Sequence, residues 1–160
     1  MKLLHIIATP REQQSTTMRV ATAFLESMHA MYADLSVDTI DLFTGDLPAV
    51  AGDNIETKYT LMTSQPIDKR HKESWQQIEL LIEHFLSADI YLISTPMWNF
   101  SISCTLKYYI DSIIQPGYLY KYNEQGHGFQ RPLRGRCGVQ RLLRPRHRER
   151  AQRGLALIAV

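Results

Sequence analysis

No stretch of this 160-residue chain is apolar for long enough to cross a bilayer, and the run "LLHIIA" that follows Lys2 already ends at Thr9. That run is also shorter than a signal-peptide core, and "TPRE" after it supplies no small-residue cleavage site. No membrane partner is therefore expected, and a cytoplasmic location is the expectation. Cysteine is scarce: Cys104 and Cys137 are the only two, in unlike contexts and without a CxxC or histidine spacing. This excludes a disulfide framework and gives no sign of a zinc site, so both read as free thiols. His5 and His84 have no metal-spaced partner and read as structural, and no metal is expected. The chain also lacks GxGxxG and GxxxxGK[ST], which disfavours a Rossmann dinucleotide site and a nucleotide-triphosphate site. No internal repeat or low-complexity tract interrupts it.

What is present fits one domain with a core, since 44% of the residues are hydrophobic and the length suffices to bury most of the unfolded surface. The net charge of +2 conceals two unlike parts. Up to Gln130 there are 9 Lys and Arg against 15 Asp and Glu, a net of 9 − 15 = −6; from Arg131 onward 9 Arg face Glu149 alone, a net of 9 − 1 = +8. The last thirty residues contain no Lys, Ser, Thr, Asp, Asn, Met or aromatic residue. Pro132, Gly135, Gly138 and Pro145 break up any regular element there, and only "LALIAV", residues 155–160, has the pattern of a strand.

Hydrophobic periodicity orders the rest. "KLLHIIA", with β-branched Ile6 and Ile7, reads as a strand buried on both faces. Met18, Ala21, Leu25, Met28 and Tyr32 then recur at helical spacing, with Ser15 as N-cap. "LSVDTIDL" is a second strand that ends where Gly45 and Pro48 mark a loop. A short helix around "ETKYTLMT" is followed by a stronger one, in which Trp75, Ile78, Leu81, Ile82, Phe85 and Leu86 form one stripe. "DIYLIST" is a third strand, and Ile102, Leu106, Tyr109, Ile110 and Ile113 lie on one face of a last helix stopped by Pro116-Gly117. Cys104, near that helix start, reads as a small buried hydrophobe. The alternation of strand and helix argues for an α/β protein with a doubly wound parallel sheet. Ligands of such sheets bind beyond the carboxyl ends of the strands at the switch point.

Two loops belong at that point. In "TPREQQSTT", Thr9, Ser15, Thr16 and Thr17 bring four hydroxyls to a helix N-terminus, where free N–H groups and the positive end of the macrodipole favour a phosphate. The plainer alternative is that Ser15 only caps the helix while the threonines are solvated. In "TPMWNFS", Met97, Trp98, Asn99 and Phe100 replace the small residues usual at a strand-to-helix turn with groups suited to lying against a flat ring.

"TPMWNFSISCTLKYYID" resembles the flavin-binding signature of FMN-dependent NADH:quinone oxidoreductases, or azoreductases, within the flavodoxin-like quinone reductases. The resemblance runs from Met1 to about residue 125 and includes "HIIATPREQQSTT" and "VDTIDLFTGDLP". It implies a flavodoxin-like fold whose C-terminal part is incomplete, because the serine, arginine and glycine-rich flavin loop of that family has no counterpart after Tyr122. The resulting division is an FMN-binding domain over 1–125 and an arginine-rich tail over 126–160, read as aberrant or frame-shifted, with a terminal strand at 155–160. Carried over by position, the resemblance makes Thr9, Ser15, Thr16 and Thr17 the FMN phosphate contacts and sets Met97, Trp98, Asn99 and Phe100 along the isoalloxazine. Ser103 and Cys104 stand where the family has a proline, a departure that bears on the helix start. Tyr118, Tyr120 and Tyr122 fall in a region that borders the family's substrate pocket.

The activity the resemblance implies is transfer of two electrons from NADH or NADPH, through FMN, to a quinone or azo compound, with a homodimer completing the pocket. No side chain is required as acid, base or nucleophile, so no catalytic residue is assigned. The alternative is an FMN-binding electron carrier or a catalytically impaired remnant of the family. Nine arginines in the tail could also neutralise phosphates, but the acidic body and the lack of aromatic interleaving argue against a nucleic-acid partner.

Overall fold

The computed structural model describes residues 1–11, 14–63, 65–122, 128–130 and 154–159, and of 121–122, 128–130 and 154–159 it describes the backbone. Two compact units emerge. The first gathers residues 1–45, 87–106 and 134–160, and the second 46–86 and 107–133.

The first unit is built on parallel strands. β1 (Lys2–Ile7) forms the expected buried strand, with Leu3, Leu4 and Ile6 fully enclosed. α1 (Thr16–Met31) follows, then β2 (Ser36–Asp41), β3 (Ile90–Thr95) and β6 (Gly154–Ala159). The sheet order is β2-β1-β3-β6, so the chain passes from β1 to one side and returns to the other, which makes a switch point beside β1. In register Ile7 lies opposite Asp41 on one side and Ser94 on the other, so all three strands end at one level. β6 pairs with β3 along its whole length, from Ile90 opposite Gly154 to Thr95 opposite Ala159. This is a flavodoxin-like α/β sheet.

α1 lies on this sheet and supplies Ala21 and Met28 to a cluster with Leu3, Leu35 and Leu92, bordered by Phe24 and Leu25. Tyr32, expected on the same stripe, is exposed. It is the C-cap, and its extended backbone (φ −130°, ψ 96°) has already left the helix.

The second unit is mainly helical. α2 (Asp53–Met62) packs on α3 (Lys69–Leu86), both starting a few residues earlier than their apolar patterns suggest. Trp75, Ile78 and Ile82 of α3 are buried as the stripe requires, and Phe85 meets Tyr109 edge to face at 6.5 Å. Tyr109 lies on α4 (Cys104–Ile113), the helix within which the chain passes from the first unit to the second. Beyond it Tyr118 accepts a hydrogen bond from the Trp75 indole (3.2 Å) and donates one to the Glu79 carboxylate. Burial and that carboxylate push the Tyr118 hydroxyl up to about 12, so it stays neutral. β4 (Tyr120–Tyr122) and β5 (Gly128–Gln130) close the unit as an antiparallel hairpin. No described helix is long and apolar enough to cross a membrane.

Candidate functional site

All eight residues singled out in the sequence lie in the first unit, Thr9 and Ser15 on the loop that leaves β1, Thr16 and Thr17 in the first turn of α1, and Met97, Trp98, Asn99 and Phe100 on the loop that leaves β3. The loops are tied together at their roots, because the Ala8 N–H donates to the Ser94 carbonyl (2.8 Å) and extends the β1–β3 pairing past the strand end. Just below, His5 Nε2 and Ser94 Oγ share a hydrogen bond of 2.9 Å, both residues being buried. Burial lowers the pKa of His5, which fits its structural reading.

The first loop turns its hydroxyls inward. Thr9 is buried and donates to Ser15 Oγ at 3.2 Å. Ser15 Oγ in turn accepts from the Met18 N–H at 3.4 Å, and the Ser15 backbone is extended (φ −79°, ψ 124°), so it is the N-cap of α1. Thr17 is buried and Thr16 exposed, so only Thr16 matches the solvated alternative. Helix geometry leaves the N–H groups of the first turn without intrahelical partners, and Ser15 Oγ takes that of Met18. No acidic residue occupies that turn. The result is a positive, hydroxyl-lined helix end of the kind that holds anions.

The second loop is a tight turn. Trp98 and Ser101 exchange both backbone hydrogen bonds, each 2.9 Å. Between them Asn99 and Phe100 both have positive φ, 49° and 61°, the pattern of a type I′ turn. Asn adopts this left-handed region readily, whereas for Phe it costs about 1–2 kcal/mol. The turn throws apolar side chains outward: Met97 is 62% exposed and Phe100 96%. Ser103 then takes the capping role at the start of α4, its Oγ accepting from the Leu106 N–H (3.4 Å) and bonding to the Thr105 hydroxyl (3.2 Å). Cys104, expected to be buried, is exposed, because at 100° per residue it falls on the side of α4 opposite Leu106 and Tyr109, which are buried.

One neighbour of these loops was not anticipated. Phe43, at the exit of β2, meets Trp98 edge to face with ring centroids 6.3 Å apart. A large aromatic directly after a strand, where turn residues are the rule, was the available signal. Tyr118 and Tyr120 belong to the second unit, as does the backbone of Tyr122. Among the described residues no group of three His, Cys, Asp or Glu side chains gathers.

A family model described as the flavodoxin-like fold matches residues 1–139. The chain belongs to the flavodoxin-like fold family. Its flavodoxin-like relatives include FMN-dependent NADH:quinone oxidoreductase 2 of Pseudomonas syringae pv. tomato, 36% identical over 126 residues that cover 79% of this chain and 60% of the relative. The FMN-dependent NADH:quinone oxidoreductase of Ruegeria pomeroyi is 38% identical over 135 residues, 84% of this chain and 66% of the relative. Among solved structures, an FMN-dependent NADH-azoreductase from Bacillus anthracis in complex with FMN superposes with a TM-score of 0.70 at 25% identity, over 83% of this chain and 63% of that one. The chain thus spans roughly 60% of the length of the first of these flavodoxin-like relatives.

Proposed function

We propose that this chain binds FMN at the carboxyl ends of β1 and β3 and is an FMN-dependent oxidoreductase, moving two electrons from NADH or NADPH to a quinone or azo compound. One observation carries the reading: a hydroxyl-lined helix N-terminus whose first turn carries no acidic residue and a turn of exposed apolar side chains share one end of the sheet. The residues fit such a cofactor. Thr9, Ser15, Thr16 and Thr17 stand at the helix end suited to its phosphate. Met97, Trp98 and Phe100 offer polarizable and aromatic surface to its ring system, and Asn99 adds a polar group that can bond the ring edge. When bound, the flavin supplies the redox chemistry, so the protein needs no acid, base or nucleophile of its own. The names of the relatives from Pseudomonas syringae and Bacillus anthracis support FMN, NADH and quinone or azo acceptors.

The proposal extends to a homodimer and to the division at about residue 125, with 126–160 as an aberrant tail. The change of composition after Gln130 favours a second reading, a flavin-binding carrier or impaired remnant without turnover. Colour separates the two. Purified protein loaded with FMN should show a flavin absorption band that bleaches on addition of NADH, and more slowly in the presence of a quinone. A band that does not bleach identifies the carrier, and the absence of any retained flavin overturns both.

A further inference from the structure

We propose that Phe43 is a positioning residue for the flavin loop, a strut from the exit of β2 that holds the Trp98 indole in one orientation. The inference rests on the flavin reading above and adds to it a residue to which the resemblance assigns no role.

The geometry is specific. β2 and β3 are not neighbours, since β1 lies between them. Two strand spacings, roughly 9–10 Å, separate their exits, and two large aromatic side chains reach across that gap. Their rings meet at 6.3 Å with planes inclined by 71°, the edge-to-face arrangement that a ring quadrupole prefers.

Both ends of the strut are fixed by backbone. The Leu42 N–H continues the ladder to the Ile7 carbonyl (2.9 Å), and the Leu42 side chain is buried. The Phe43 N–H then donates to Asp41 Oδ1 (2.9 Å), and the Gly45 N–H closes the turn on the Asp41 carbonyl (3.1 Å). Gly45 suits that closure, because a Cβ there would stand 3.1 Å from the same carbonyl oxygen. On the other side Trp98 is locked by its paired bonds to Ser101. With both backbones set, the ring contact restricts the indole before any ligand arrives, so a ring that binds against Trp98 need not order it.

Phe43 is 36% exposed and Trp98 40%, so neither is a core residue.

The test is a double-mutant cycle in the full chain, read as FMN and riboflavin affinity by quenching of flavin fluorescence. Phe43→Ala should weaken both ligands by about two- to tenfold and by equal factors, the range an edge-to-face pair supports, because the strut acts on the ring and not on the phosphate. Phe43→Tyr should restore affinity. In a Trp98→Ala background Phe43→Ala should do nothing more. If Trp98→Ala weakens flavin binding and Phe43→Ala does not, the strut is overturned and the flavin site stands. An equal loss from Phe43→Ala with and without Trp98 also overturns it, since Phe43 would then act on its own. If neither substitution changes flavin affinity, the flavin reading of this loop fails and the inference falls with it.

Discussion

Phe100 is held at φ 61° with almost its whole ring in solvent, so its conformation costs energy that its own packing does not return. Strain of this kind persists where the surroundings impose it, here through the paired bonds between Trp98 and Ser101. Glycine has no Cβ to clash in that region, although it loses more backbone entropy on folding. The balance of roughly 1–2 kcal/mol of strain against roughly 0.5–1 kcal/mol of entropy favours the substitution. Phe100→Gly should therefore raise the melting temperature of the flavin-free protein by about 1–4 °C while weakening FMN binding. Thermal unfolding and flavin titration of the same variant check the two halves. A lower melting temperature would mean that the ring has a stabilising partner within the chain. Asn99 needs no such explanation, because its side chain tolerates the left-handed region.

The start of α1 combines two roles in one element. Ser15 caps the helix through the Met18 N–H and also receives the Thr9 hydroxyl, so removing its Oγ costs about 1 kcal/mol of general stability whatever binds there. A simple loss of FMN affinity would not distinguish a phosphate site from a weakened helix. The ratio between ligands does. Ser15→Ala combined with Thr17→Ala should reduce FMN affinity by a larger factor than riboflavin affinity, since only FMN carries the anion this helix end is suited to. Parallel titrations with the two flavins give the ratio, and equal losses would remove the phosphate role. α4 shows the same economy of means: Ser103 supplies a cap where the resembled family has proline, and the helix still begins at the next residue.

At the scale of the whole molecule, a parallel sheet needs every apolar strand covered or paired. β3 is such a strand, with Tyr91, Leu92, Ser94 and Thr95 buried, and its outer edge is occupied by β6 from Gly154 to Ala159. Without that partner the N–H and C=O groups of β3 would form an exposed edge beside apolar side chains, a template for pairing with other chains. A chain ending after Arg153 should therefore form soluble aggregates at concentrations where the 160-residue protein does not. Light scattering after size-exclusion chromatography measures this, and a monodisperse truncated chain with an unchanged melting temperature would show that β6 contributes nothing to the sheet.

How much of this was legible in the sequence varies with the range of the interactions concerned. Strands such as "KLLHIIA" and "DIYLIST", the helices with apolar stripes and the cap at Ser15 follow from local periodicity and local hydrogen bonding, which act within a few residues. The resemblance in "TPMWNFSISCTLKYYID" named the two loops and, with the doubly wound pattern, the end of the sheet to which they belong. Other features depend on residues far apart in the chain. That Thr9 and Thr17 are buried and that Phe43 meets Trp98 require the strands to be paired in register first. The positive φ of Phe100 is local by contrast, imposed within one turn by the reciprocal bonds of Trp98 and Ser101 against the preference of the residue itself. Sequence by itself determined the elements and the candidate loops, because burial patterns and caps are short-range properties. Tertiary structure alone decided which hydroxyls turn inward, which aromatics meet and which strand covers β3, because those contacts exist only once the sheet order β2-β1-β3-β6 has formed.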